Sequence, residues 1–86
     1  MHRYVVASTQ RSGQSITLCD ADGRFHIARA SASAPPFGTK LIGNRPTLGF
    51  GLLLGELFDD VYRVTFEAVH CSHEEAMHKL QGQPTL

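Results

Sequence analysis

The sequence has no tryptophan and only two cysteines in 86 residues. Cys19 and Cys71 admit one disulfide at most, so a densely stapled secreted scaffold is excluded. Long apolar runs are missing too. The longest, Leu48 to Leu54, is broken by Gly49 and Gly51, and it falls far short of the ~20 residues a membrane helix needs. Net charge is also absent, because eight Lys and Arg balance eight Asp and Glu. That excludes a polycation that binds nucleic acid by bulk charge. Met1–Gln10 turns polar too early for a secretory signal. These absences lead to the expectation of a cytoplasmic protein with free thiols and no membrane contact.

What remains is 42% hydrophobic residues with a balanced surface. A disordered chain would carry less apolar content or more net charge. The length suits one small domain over residues 1–86 and is too short for an ordinary catalytic domain with a deep cleft.

Period-two alternation dominates, which indicates strands with one buried face. Tyr4 and Val6 alternate with Val5 and Ala7. Ile16 and Leu18 alternate with Thr17 and Cys19. Asp20-Ala21-Asp22-Gly23 is a hairpin turn, since Asp and Gly tolerate positive φ. Phe25 and Ile27 are expected inward on the return strand, with Arg24, His26 and Ala28 outward. A turn is expected at residues 11–14, and residues 31–36, rich in Ala, Ser and Pro, read as a loop. A short strand is expected over residues 38–43. Leu48, Phe50, Leu52 and Leu54 share one face of the next strand, with Gly49 and Gly51 opposite and Leu53 and Gly55 following. Glycines within a strand mark a bulge, a bend or a close backbone approach. Glu56 to Asp60 is an acidic turn. Tyr62, Val64, Phe66 and Ala68 then alternate with Arg63, Thr65 and Glu67.

The period switches near the end. Ser72 with Glu75 is a capping box, and Ala76, Met77 and Leu80 form a narrow stripe at helical spacing. Glu75 and Lys79 are an i,i+4 pair; Gly82 and Pro84 are stop signals. The reading is an all-β domain: a small five- to six-stranded OB-like or SH3-like barrel, its strands within residues 3–70, with a short C-terminal helix at about 73–81. Closure removes sheet edges economically.

Motifs for chemistry are sparse. His70, Cys71, His73 and His78, with Cys19 added, offer zinc-type ligands. Adjacent strand residues point to opposite faces, however, and His73 and His78 do not share a helix face. No metal, cofactor or catalytic residue is assigned, and the chain is read as a non-enzyme. Asp59 and Asp60 read as solvated turn residues. Gly49-Phe50-Gly51 lacks the lysine and helix start of a phosphate loop. The Asp20 turn lacks the acid that a calcium loop carries at its twelfth position, where Ser31 stands.

The charges are unevenly placed. No acid lies between Gly23 and Gly55, a stretch that holds Arg24, Arg29, Lys40 and Arg45. Adjacent strands 2, 3 and 4 would let Arg24, His26, Arg29, Phe37, Lys40 and Arg45 line one basic face, as in barrels that hold single-stranded nucleic acid. The preferred expectation is a binding or adaptor module that contacts a protein partner or a second copy of itself as a homodimer. Its candidate contacts are Phe37, Leu53 and Tyr62. Single-stranded nucleic acid is the alternative partner.

Overall fold

The computed structural model describes residues 1–10, 14–57 and 60–81, with side chains as far as residue 78. The elements run β1 (His2–Thr9), β2 (Ser15–Asp20), β3 (Phe25–Ala30), β4 (Lys40–Gly43), β5 (Gly49–Gly55), β6 (Val61–Cys71) and α1 (His73–Gln81). The expected turn at 11–14, Asp59, the Glu75–Lys79 pair, the Leu80 side chain and the Gly82 and Pro84 stop signals lie outside the described residues.

The strands close into a barrel in the order β1-β2-β3-β6-β5-β4, and every neighbouring pair is antiparallel. Two three-stranded meanders, β1-β2-β3 and β4-β5-β6, are joined at both seams. No edge is left unpaired, so the ladder saturates its own backbone groups. Among the described residues no helix is long and apolar enough to cross a membrane.

The Asp20 turn forms as its residue types require. Asp20 Oδ1 accepts from the Asp22 and Arg24 N–H groups at 2.9 and 3.0 Å, and Gly23 takes φ 82°. The capping box is reciprocal: Glu75 N–H donates to Ser72 Oγ at 3.1 Å, and Ser72 N–H donates to Glu75 Oε1 at 2.8 Å.

The barrel interior is Tyr4, Val6, Ile16, Leu18, Ala28, Ala30, Leu41, Leu53, Val64 and Phe66. One strand therefore faces opposite to the sequence reading, and on another the expected contact Leu53 is a core residue. On β3, His26, Ala28 and Ala30 are buried. Ile27 instead packs on the outside with Cys71 and Ala76, and Phe25 and Ala68 border that cluster. Helix α1 covers it, and Phe25 meets the His73 ring at 5.2 Å. On β5, Leu53 is inside and Phe50 and Leu52 are outside.

Space explains the facing of β5. A Cβ on Gly51 would meet the Phe66 ring at 2.9 Å, and one on Gly43 would meet Leu53 Cδ2 at 2.8 Å. Gly51 thus has to face the Phe66 ring, which sends Phe50 and Leu52 outward. Bulges complete the closure. The β3–β6 register shifts between Phe25 and Ile27 and again between Ile27 and Ala28. Each extra residue on β6 reverses the inside-outside alternation, so Ala68 lies under α1 while Val69 packs against the barrel core.

Gly51→Ala is expected to lower stability by about 1–3 kcal/mol through overpacking. Phe50→Thr, at an exposed strand position, should change it by no more than about 0.5 kcal/mol. Urea unfolding of both variants checks the assignment, and equal tolerance at the two positions would contradict it.

Candidate functional site

One end of the barrel carries the only buried imidazole among the described residues. The β3 inversion places His26 inside, with none of its surface exposed. Its ring stands edge-on to Tyr4 at 5.9 Å and to Phe66 at 6.5 Å. Both ring nitrogens are engaged. The His70 backbone N–H donates to His26 Nδ1 at 2.9 Å, which leaves the proton on Nε2. That Nε2–H then donates to Asp20 Oδ2 at 2.8 Å. His70 lies where β6 leaves regular pairing with β3, at φ 56°. The buried ring therefore takes up a peptide N–H that the irregular strand releases, and ties it to the β2–β3 turn.

The electrostatics agree with a neutral ring beside a charged carboxylate. Burial pushes the His26 pKa down, and the Asp20 hydrogen bond and charge only partly restore it. For Asp20, burial disfavours ionisation. The His26 bond and the Arg24 and Asp22 N–H groups outweigh that and hold the carboxyl below its usual range. Tyr4 donates to the Asn44 carbonyl at 2.6 Å. Burial and the Asp20 charge raise its pKa to about 12.

Asp20, His26 and His70 bring potential metal-ligand atoms within 4.8 Å of one another. Such a set resembles a two-histidine, one-carboxylate site. The hydrogen bonds argue against that use. A metal on Nε2 would need the proton moved to Nδ1, where it would oppose the His70 N–H. The alternative is an imidazolate, at a much larger cost. The clamp uses both ring nitrogens of His26, and His70 enters it through its backbone N–H. Of the other residues weighed as ligands, Cys71 is buried beneath α1 and His73 packs on Phe25. Cys19 is half-buried, and burial followed by the Asp20 charge pushes its thiol pKa up.

The basic residues are dispersed. In the closed order, β3 and β4 stand on opposite sides of the barrel. Arg29 on β3 therefore points away from Lys40 on β4, and Arg29 Nε pairs with Glu67 Oε2 at 3.3 Å. Arg24 is exposed in the β2–β3 turn, Arg45 in the β4–β5 turn, and Phe37 in the loop before β4. His26, expected outward, is inside and presents nothing to a nucleic-acid strand. The condition for a shared face was adjacency of strands 2, 3 and 4. Closure places β1 between β2 and β4 instead.

Among the expected partner contacts, Phe37 is exposed. Tyr62 is half-buried and lines two open depressions of about 420 and 310 Å³. Leu53 is buried in the core and is corrected from a contact to a packing residue. The surface missed by the sequence reading is the outer row of β5. Leu48, Phe50 and Leu52 are 63%, 69% and 45% exposed, and Val61 on the adjoining β6 is 60% exposed. Leu52 pairs with Arg63, and Phe50 with Thr65, so the apolar row is bordered by polar residues of β6. The glycines between these side chains were the available signal, since a glycine row implies that the other row is the surface one wherever the interior is crowded.

The molecule is thus a small closed antiparallel barrel with one docked helix, a histidine clamp at one end and an apolar outer strand. No protein-family model, curated protein or solved structure matches the chain.

Two outcomes follow from the clamp. Because folding lowers the His26 pKa below its ordinary 6.5, the unfolded chain binds more protons between those two values. Stability is therefore fully present above about pH 6.5 and declines as pH falls through the folded pKa. Urea midpoints against pH measure this, and imidazole ¹⁵N shifts should show the Nε2–H tautomer persisting below pH 6.5. Zinc at one equivalent is expected to leave the thermal midpoint unchanged. A rise of several degrees would mean that the ion captures the clamp.

Proposed function

We propose that this chain is a non-enzymatic protein-binding barrel whose contact surface is the outer face of β5 with the neighbouring row of β6. The carrying observation is the exposure of Leu48, Phe50, Leu52 and Val61 on one side of the barrel. Together they present roughly 400 Å² of surface, the size of the largest apolar patch on a typical monomer, which is often functional. Outer strand positions of a solvated barrel are ordinarily polar, and polar residues there would leave the core untouched.

The closed sheet also restricts how a partner can dock. With no free edge, strand addition is unavailable, so contact has to be made through side chains on a face. A ring of apolar residues bordered by Arg63, Thr65 and Glu67 matches the apolar centre and polar rim of a protein interface. Catalysis draws little support. The clamp imidazole has no free lone pair, Cys71 is covered, and a raised pKa keeps the Cys19 thiol protonated and poorly nucleophilic.

A photo-crosslinking residue, p-benzoylphenylalanine, in place of Phe50 tests this in cells that produce the protein. A discrete covalent adduct is expected from position 50. The same residue in place of Asp22, in the β2–β3 turn, should give none. No adduct at position 50, or equal adducts at both positions, would overturn the reading.

A further inference from the structure

We infer that the occupant of the β5–β6 face is a second copy of this chain, related by a twofold axis that lies in the interface and crosses the strands at the Phe50–Thr65 pair. This rests on the protein-binding reading above and adds the identity of the partner.

The argument comes from the order of residues along the two outer rows. On β6 the row reads Val61, Arg63, Thr65, Glu67, all exposed. On β5 it reads Phe50, Leu52, Leu54, with Leu48 just before the strand. The register sets Leu54 beside Val61, Leu52 beside Arg63 and Phe50 beside Thr65. A twofold axis across the strands at the Phe50–Thr65 level reverses each row onto itself. Phe50 then faces the partner's Phe50, Thr65 faces the partner's Thr65, and Leu52 faces the partner's chain just before β5, where Leu48 is exposed. Arg63 faces the partner's Glu67, and the reciprocal pair forms at the other end.

The face is therefore self-complementary in charge as well as in apolarity, which an isologous contact requires. A positive residue and a negative residue stand two strand positions on either side of the centre, with Thr65 between them on β6 and the apolar row of β5 alongside. An axis at the Leu52–Arg63 level would instead put Arg63 against the partner's Arg63.

Supply and demand of charge fit this arrangement. Arg63 has no ion pair among the described residues. Glu67 is shared with Arg29 at 3.3 Å, and a carboxylate can accept from two guanidinium groups. The chain as a whole has a formal net charge of zero and a pI near 7.0, so two copies approach without net repulsion. The apolar area is below that of an obligate dimer and suits a weak, reversible one.

Sedimentation equilibrium tests the inference. From about 10 to 500 µM, a range set by the weak class of interface, the wild-type mass should rise from 9.4 kDa toward twice that value. Phe50→Asp should stay monomeric throughout with an unchanged circular dichroism spectrum. Arg63→Glu and Glu67→Arg should each weaken association by about tenfold, since each sets like charges against each other at both ends. The double variant Arg63→Glu/Glu67→Arg should recover affinity to within about threefold of wild type, which a non-specific apolar contact would not do.

A wild-type chain that remains at 9.4 kDa, or charge reversals without the paired recovery, overturns the twofold pairing. The crosslink at position 50 separates the two readings. An adduct of two copies supports both. An adduct with a different protein, together with a monomeric chain, removes the dimer and leaves the binding barrel. No adduct removes both.

Discussion

The space between two rings governs this structure. Tyr4 and Phe66 stand inside a six-stranded barrel with 6.4 Å between their centroids, and the strands that pass them have little room for side chains. Interiors are packed close to crystal density, so neighbouring inward positions must be small. Ala28 and Ala30 fill that requirement on β3, and Gly43 and Gly51 fill it on β4 and β5. Once those small residues are committed to the inside, Ile27 on β3 and Phe50 and Leu52 on β5, which alternate with them, have to go outside. Hydrophobicity alone would have chosen the opposite face on both β3 and β5.

The two reversals have different consequences. On β3 the ejected residues, Phe25 and Ile27, are covered within the chain by α1. The helix is short, and a helix of this length has little stability alone. The apolar patch on β3 gives it something to pack against, and the capping box fixes where it begins. On β5 no described element covers Phe50 and Leu52. One physical cause therefore yields a satisfied outer cluster on one side of the barrel and an unsatisfied one on another. That contrast sets the β5 face apart from a scattering of surface leucines, which would need no explanation.

Much of the architecture was legible in the residues. Alternation located the strands other than β4, the Asp20-to-Gly23 turn located a hairpin, and Ser72 with Glu75 located the helix start. Which row of a strand faces inward was not legible for β3 and β5, because alternation fixes only that two rows differ. A bulge then reverses the rows partway along a strand, as it does between Phe66 and Ala68 on β6, and no local residue pattern announces it. The clamp was hidden for the same reason. Asp20, His26 and His70 meet only because β3 is turned over and β6 is irregular where His70 lies. The basic face failed on topology: Arg29 and Lys40 are close in sequence, yet strand closure sets them on opposite sides.

The clamp and the outer face are linked through the same strands. The polar chain from the His70 N–H through His26 to Asp20 sits where β2, β3 and β6 meet, and a buried polar chain of this kind is stabilising only when every member has a partner. It holds β6 against β3 at the end where β6 hands over to α1. Strand β6 in turn carries Arg63, Thr65 and Glu67 beside the apolar row of β5. The spacing of Arg63 and Thr65 relative to Phe50 is set by a regular β5–β6 register, which runs unbroken from Gly49–Phe66 to Leu54–Val61, with Glu67 one residue beyond it at the β3–β6 irregularity. The irregularities of β6 are confined to its other neighbour, β3. The irregularities of β6 thus lie on the side sealed by the helix, while the β5–β6 seam stays regular.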